Sequence, residues 1–175
     1  MLRALVCALA LLAGAADPAR AEVAEAGPGH FQLRFSDTVE KPPADVWRAI
    51  GRIGAWWDSA HTYSGEARNM RLAVRAGGCF CEVWDGASVE HMRAIYVRPQ
   101  EALRLDGALG PLQEMGVVGI LTMTLAAEGA RTRLTWTYRV VGPGGDLSQL
   151  AAPVDAVVGQ QFARLVRYAE TGSPN

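Results

Sequence analysis

The chain has 175 residues, half of them hydrophobic and 20% charged, which suffices for one domain with a substantial core and is too short for two ordinary ones. Nineteen glycines and nine prolines lie slightly above average usage, which argues against a collagen-like or disordered chain. A net charge of -1 leaves no basic excess for nucleic acid or an anionic membrane surface.

Residues 1–21 read as an export leader. Arg3 supplies a positive start, Ala4 to Ala16 is an uncharged run of 13 residues, and Ala19-Arg20-Ala21 offers an A-x-A cleavage site. The run is shorter than the ~20 apolar residues that a bilayer span requires. The expectation is export, to a bacterial periplasm, with no membrane span left after cleavage. Residues 22–29 are small and polar and are expected to be flexible.

From His30 the chain alternates, with Phe31, Leu33, Phe35 and Val39 apolar between Gln32, Arg34, Ser36 and Thr38, the period of a half-buried strand. Pro42-Pro43 stops that strand, since proline cannot donate to a ladder, and proline suits the first turn of a helix. Val46, Ile50, Ile53 and Trp57 follow at helical spacing. A meander is expected next: Met70, Leu72 and Val74 alternate with Arg71 and Arg75, Gly77-Gly78 turns into residues 79–85, and Asp85-Gly86 is a hairpin signal. Strands over 88–98, 102–106, 117–126 and 132–141 complete it. The last two alternate cleanly, Leu121, Met123 and Leu125 on one, Leu134, Trp136 and Tyr138 on the other, as antiparallel strands with one wet face do. After Gly142-Pro143-Gly144-Gly145 the period becomes three and four, through Leu150, Val154, Val157, Val158, Gln161, Phe162, Leu165 and Tyr168, which predicts a helix over 152–170.

The expected fold is α+β. A twisted antiparallel sheet of about seven strands wraps on a long C-terminal helix, with a short helical segment after the first strand. Residues 30–170 form the domain and 171–175 a flexible tail. A twisted sheet cannot close flush on a straight helix, so the gap between them is filled by large side chains or left as a cavity.

The stretch Val39-Glu40-Lys41-Pro42-Pro43-Ala44-Asp45-Val46-Trp47, with the Gly77-Gly78-Cys79-Phe80 hairpin and the terminal helix, resembles the START-like superfamily, also called SRPBCC, which includes polyketide cyclase-like and heat-shock ATPase-activator-like families. The resemblance covers about residues 30–170. It implies a helix-grip fold with a deep hydrophobic cavity between sheet and C-terminal helix. It implies no single reaction, because members include lipid carriers, cyclases, hormone receptors and cochaperones.

No phosphate-binding Gly-rich loop, no Gly-x-Ser-x-Gly elbow and no His-Glu-x-x-His pair occurs, so the sequence points to no cofactor and no metal. Cys79 and Cys81 flank Phe80. Residues two apart on a strand lie about 6.6 Å apart along the backbone, against Cβ atoms ~3.8 Å apart in a disulfide. Two free thiols are therefore the expectation, with a strained local or an intermolecular bridge as alternatives. A Cys-x-Cys metal site would need a third ligand, such as His91 or a nearby Met. His91 is a candidate base at neutral pH if it faces the cavity. By parity Arg93 shares its face, either wet or lining the cavity, and inside it would favour a carboxylate or phenolate ligand. Glu82 shares a face with Trp84. Inside, desolvation would raise its pKa and make it an acid/base candidate; outside, it would pair with an arginine.

Trp56, Trp57, His61 and Tyr63 crowd into eight positions and suit either a ligand-lined opening or a hydrophobic plug. Leu109, Leu112 and Met115 lie between glycines in a candidate lid. With Leu121, Met123, Trp136 and Phe162 from the sheet and the last helix, these complete the expected lining. The sequence thus points to an exported protein binding a small hydrophobic molecule. The alternatives are a cyclase- or hydrolase-type enzyme using His91 or Glu82, and a protein-interaction module.

Overall fold

The computed structural model describes residues 22–143 and 145–175; the expected leader lies outside the described residues. Eight strands form one antiparallel sheet: β1 (Glu22–Gly27), β2 (His30–Val39), β3 (Met70–Leu72), β4 (Cys79–Trp84), β5 (Ala87–Arg98), β6 (Ala102–Asp106), β7 (Val118–Glu128) and β8 (Arg131–Val141). Their order across the sheet is β1-β2-β8-β7-β6-β5-β4-β3. The helices are α1 (Pro43–Gly51), α2 (Ile53–Trp56) and α3 (Ser148–Thr171).

The eighth strand comes from the segment expected to be flexible. β1 pairs with β2 from Glu22↔Arg34 to Gly27↔His30, and His30 Nε2 lies 2.9 Å from Glu25 Oε1. Residues 23–26 are exposed. Backbone pairing holds β1, and no apolar pattern in its own side chains announces it.

In β2 the apolar set Phe31, Leu33, Phe35 and Val39 is buried. Pro43 opens α1, Asp45 stands in its first turn, and Val46, Ala49 and Ile50 face inward. The helical path breaks at Arg52, and Trp56 ends α2 by donating its indole N–H to Ala49 O at 2.8 Å. α3 starts four residues earlier than the pattern predicts, because Asp146 accepts from the Ser148 N–H and hydroxyl. Pro153 therefore falls inside the helix, beyond its first turn.

α3 packs on β1, β2, α1 and α2. Behind it the gap is filled by aromatic rings. Phe162 stacks on Phe35 at 5.8 Å and meets Trp136 edge-on at 5.5 Å, and Trp56 lies 6.1 Å from Trp136. Towards the N-terminal half of α3 no such filler exists, and the space stays open.

Candidate functional site

The open end is a cavity of about 670 Å³. One wall is α3, through Leu150, Pro153, Val154, Val157 and Val158. The second is the 57–63 segment, with Trp57, Ala60, His61, Thr62 and Tyr63, and the third is the 109–115 segment, with Leu109, Leu112, Glu114 and Met115. His91 of β5 completes the lining. A second, wide-open depression of about 470 Å³ lies between residues 51–55 and 68–73 and holds no buried polar side chain.

His91 reaches the inside through a β-bulge. Phe80 pairs with Met92 and the next residue, Cys81, pairs with Glu90, so His91 is the extra residue of β5. His91 and Met92 are both buried, while Glu90 and Arg93 both stand outside. The bulge breaks the parity that tied His91 to Arg93. Arg93 is ion-paired with Glu90 on the outer face, so the cation that would have favoured an anionic ligand is not in the cavity.

Glu82 is fully buried, at 0% exposed, and pairs with no arginine among the described residues. Its Oε2 accepts the Tyr63 N–H at 3.0 Å and its Oε1 the Ser64 N–H at 2.6 Å. His91 Nε2 lies 3.2 Å from Oε2. Burial pushes the Glu82 pKa up, but the hydrogen bonds from Ser64, Tyr63 and His91 together outweigh it and hold the carboxyl below its ordinary range. The expected rise is thus reversed, because the desolvated carboxylate is fully supplied with donors. Burial also lowers the His91 pKa, against the smaller opposing pull of Glu82. At neutral pH the pair is a carboxylate and a neutral imidazole. The carboxylate only accepts, so Nε2 carries the proton and Nδ1 is the bare acceptor, with no partner among the described residues.

Both rims are anchored. Asp58 N–H donates to Gln161 Oε1 at 2.8 Å, Gln160 Nε2 to Asp58 Oδ2 at 2.6 Å, and Trp57 Nε1 to His61 O at 2.8 Å. Opposite, Leu109 N–H donates to the Tyr138 hydroxyl at 3.1 Å, and Gln113 Nε2 to Glu90 O at 2.8 Å. The candidate lid segment contains a short 3-10 turn, Gly110–Gln113. Two glycines permit this seat. A Cβ on Gly119 would lie 2.7 Å from the Tyr138 hydroxyl, and one on Gly107, whose φ is +147°, would lie 2.5 Å from His91 O. Burial keeps the Tyr138 phenol protonated well above its usual range, against the smaller pull of the Leu109 N–H. Tyr138→Phe is expected to lose about 1 kcal/mol in urea unfolding and to speed amide exchange at Leu109. Unchanged exchange there would show that this bond does not seat the rim.

Of the expected lining, Trp57, His61, Tyr63, His91, Leu109, Leu112 and Met115 meet at the cavity. Trp56, Leu121, Met123, Trp136 and Phe162 are instead packed in the solid core, and Trp84 is half-buried near the end of β4, away from the cavity. The α3 residues Leu150, Pro153, Val154, Val157 and Val158 were missing from the expected lining. Their helical period was visible in the sequence, but not that the aromatic filler stops short of them.

No family model and no curated protein matches the chain. Solved structures do. CalU16 from Micromonospora echinospora is 14% identical with a TM-score of 0.60, over 91% of this chain and 88% of that one. The Aha1 dimer from Colwellia psychrerythraea is 14% identical with a TM-score of 0.57, over 81% and 97%. A conserved protein of unknown function from Enterococcus faecalis, EF2215, is 11% identical with a TM-score of 0.60, over 89% and 78%. The chain shares the fold of these structures. At these identities the likeness is one of architecture, and the helix-grip arrangement of sheet and α3 is what the chain shares with these structures.

Proposed function

We propose that this helix-grip domain is an exported carrier or receptor for a small, neutral, largely apolar molecule with one hydrogen-bond donor. The observation that carries the reading is a cavity with aliphatic and aromatic walls and a single buried polar anchor, neutral His91, held by Glu82. Apolar burial at roughly 25 cal/mol per Å² supplies affinity. The bare Nδ1 accepts from a ligand hydroxyl or N–H and fixes orientation. Because no arginine or lysine among the described residues lines the cavity, a carboxylate ligand would have no counter-charge there. Export rests on the leader-like residues 1–21.

N-phenyl-1-naphthylamine, neutral and with one N–H, is a suitable probe. Its fluorescence is expected to rise on binding. His91→Leu is expected to weaken binding roughly tenfold, the worth of one hydrogen bond of about 1.4 kcal/mol. Val157→Trp, which fills the space, is expected to abolish it. A probe that binds Val157→Trp as well as the native chain would remove the cavity from the account. Native mass spectrometry of protein purified from the periplasm would then name the natural guest.

The buried histidine–carboxylate pair also favours a second reading, an enzyme in which His91 takes a proton from a bound substrate and Glu82 stabilises the imidazolium. A bound compound recovered chemically unchanged supports the carrier, and one converted by the native chain but not by His91→Leu supports the enzyme.

A further inference from the structure

The outer face of β4 carries a second cluster, unrelated to the cavity. Cys79 and Cys81 are joined as a disulfide, with Cα atoms 5.4 Å apart. The expectation of two free thiols is thus corrected, because the Cα separation falls below the ideal strand spacing and into the range that a bridge accepts. Both cysteines are half-buried rather than sealed. The bulge at His91 brings Arg93 opposite Cys79 and Glu90 opposite Cys81 on this face. Glu90 Oε2 lies 3.6 Å from Cys79 Sγ and is ion-paired with Arg93.

As a cross-link this bond does little. It closes a very short loop, with one residue between the cysteines, and such a loop constrains an unfolded chain little. The two cysteines are already fixed in a strand paired with β3 on one side and β5 on the other. We propose that Cys79 and Cys81 form a thiol–disulfide exchange site whose co-substrate is an accessible cysteine thiol.

In the step, a co-substrate thiolate attacks one Sγ, forming a mixed disulfide and breaking the Cys79–Cys81 bond. The released sulfur leaves as a thiolate and takes a proton from solvent. A second co-substrate thiolate attacks the mixed disulfide. The co-substrate departs as its own disulfide, oxidised by two electrons, and the chain retains two thiols. Glu90 accepts the Cys79 thiol hydrogen in the reduced state.

The test uses the full chain under native conditions, with alkylation and peptide mapping over residues 79–81. Before reduction, no alkylation is expected there. With millimolar glutathione in one arm and a two-cysteine peptide in the other, about one co-substrate disulfide per chain and two alkylated cysteines are expected. Turnover in the glutathione arm alone assigns a small-molecule thiol, and turnover in the peptide arm a protein thiol; either supports the site. Cys79→Ser and Cys81→Ser are each expected to return co-substrate oxidation to the blank rate. A bond that opens only after unfolding in denaturant would overturn the proposal and leave a structural cross-link. So would two thiols that stay unpaired in oxidised glutathione. Stoichiometric zinc held by the purified chain, shielding both thiols, would replace the exchange site with a metal site.

Discussion

Glu82→Ala is expected to lose about 3 kcal/mol or more of folding stability and to loosen residues 57–64. Alanine leaves the Tyr63 and Ser64 N–H groups without their acceptor, and an orphaned, desolvated donor costs about 1–3 kcal/mol each. It also opens a void at a fully buried position. Urea unfolding measures the loss, and amide exchange at Tyr63 and Ser64 locates it. A variant within about 0.5 kcal/mol of the native chain would show that the carboxylate is not the anchor of that rim. The pair also makes stability depend on pH. The native His91 pKa lies below the ordinary 6.5, so the unfolded chain takes up this proton first. The contribution is complete above pH 6.5 and is lost as pH falls towards the native value. Glu82, held below 4.5, adds a second loss of the same sign at lower pH. Stability measured at pH 7.5 and 5.5 should therefore fall less for His91→Leu than for the native chain. Parallel curves would place the acid sensitivity elsewhere.

Trp136→Ala is expected to lose about 3–5 kcal/mol, because the ring is 1% exposed and meets both Trp56 and Phe162. Trp136→Phe should lose far less. The indole N–H has no hydrogen-bond partner among the described residues, so phenylalanine removes an unsatisfied donor along with some volume. Equal losses in the two variants, read from urea midpoints at constant slope, would mean that the N–H is bonded to an ordered water in solution. The ring itself closes the middle of the gap between sheet and α3, and the alanine variant should extend the cavity into the core.

Most of the architecture was legible because period-two and period-3.6 patterns report which face is buried. Leu134, Trp136 and Tyr138 alternate as cleanly in the fold as in the sequence. β1 was not legible, since its stability resides in backbone pairing and its side chains are wet. Half of the cavity was legible as well: an unusual density of Trp, His and Tyr marked one rim, and apolar residues between glycines marked the other. The orientation of Glu82, His91 and Arg93 was not. Parity arguments assume an unbroken ladder, and the one-residue bulge that breaks it leaves no signature in residue type. The division between filled core and open end was equally hidden, because Trp136 and Trp57 are both large aromatics and only three-dimensional distance separates them.

That one-residue bulge makes the sheet two-sided in a stricter sense than alternation alone would. Without the extra residue, Met92 would stay inward and Glu90 and Arg93 outward, and the cavity would lose its imidazole. A lineage carrying this scaffold could thus gain or lose its polar anchor with a single codon, every helix and every other strand left in place.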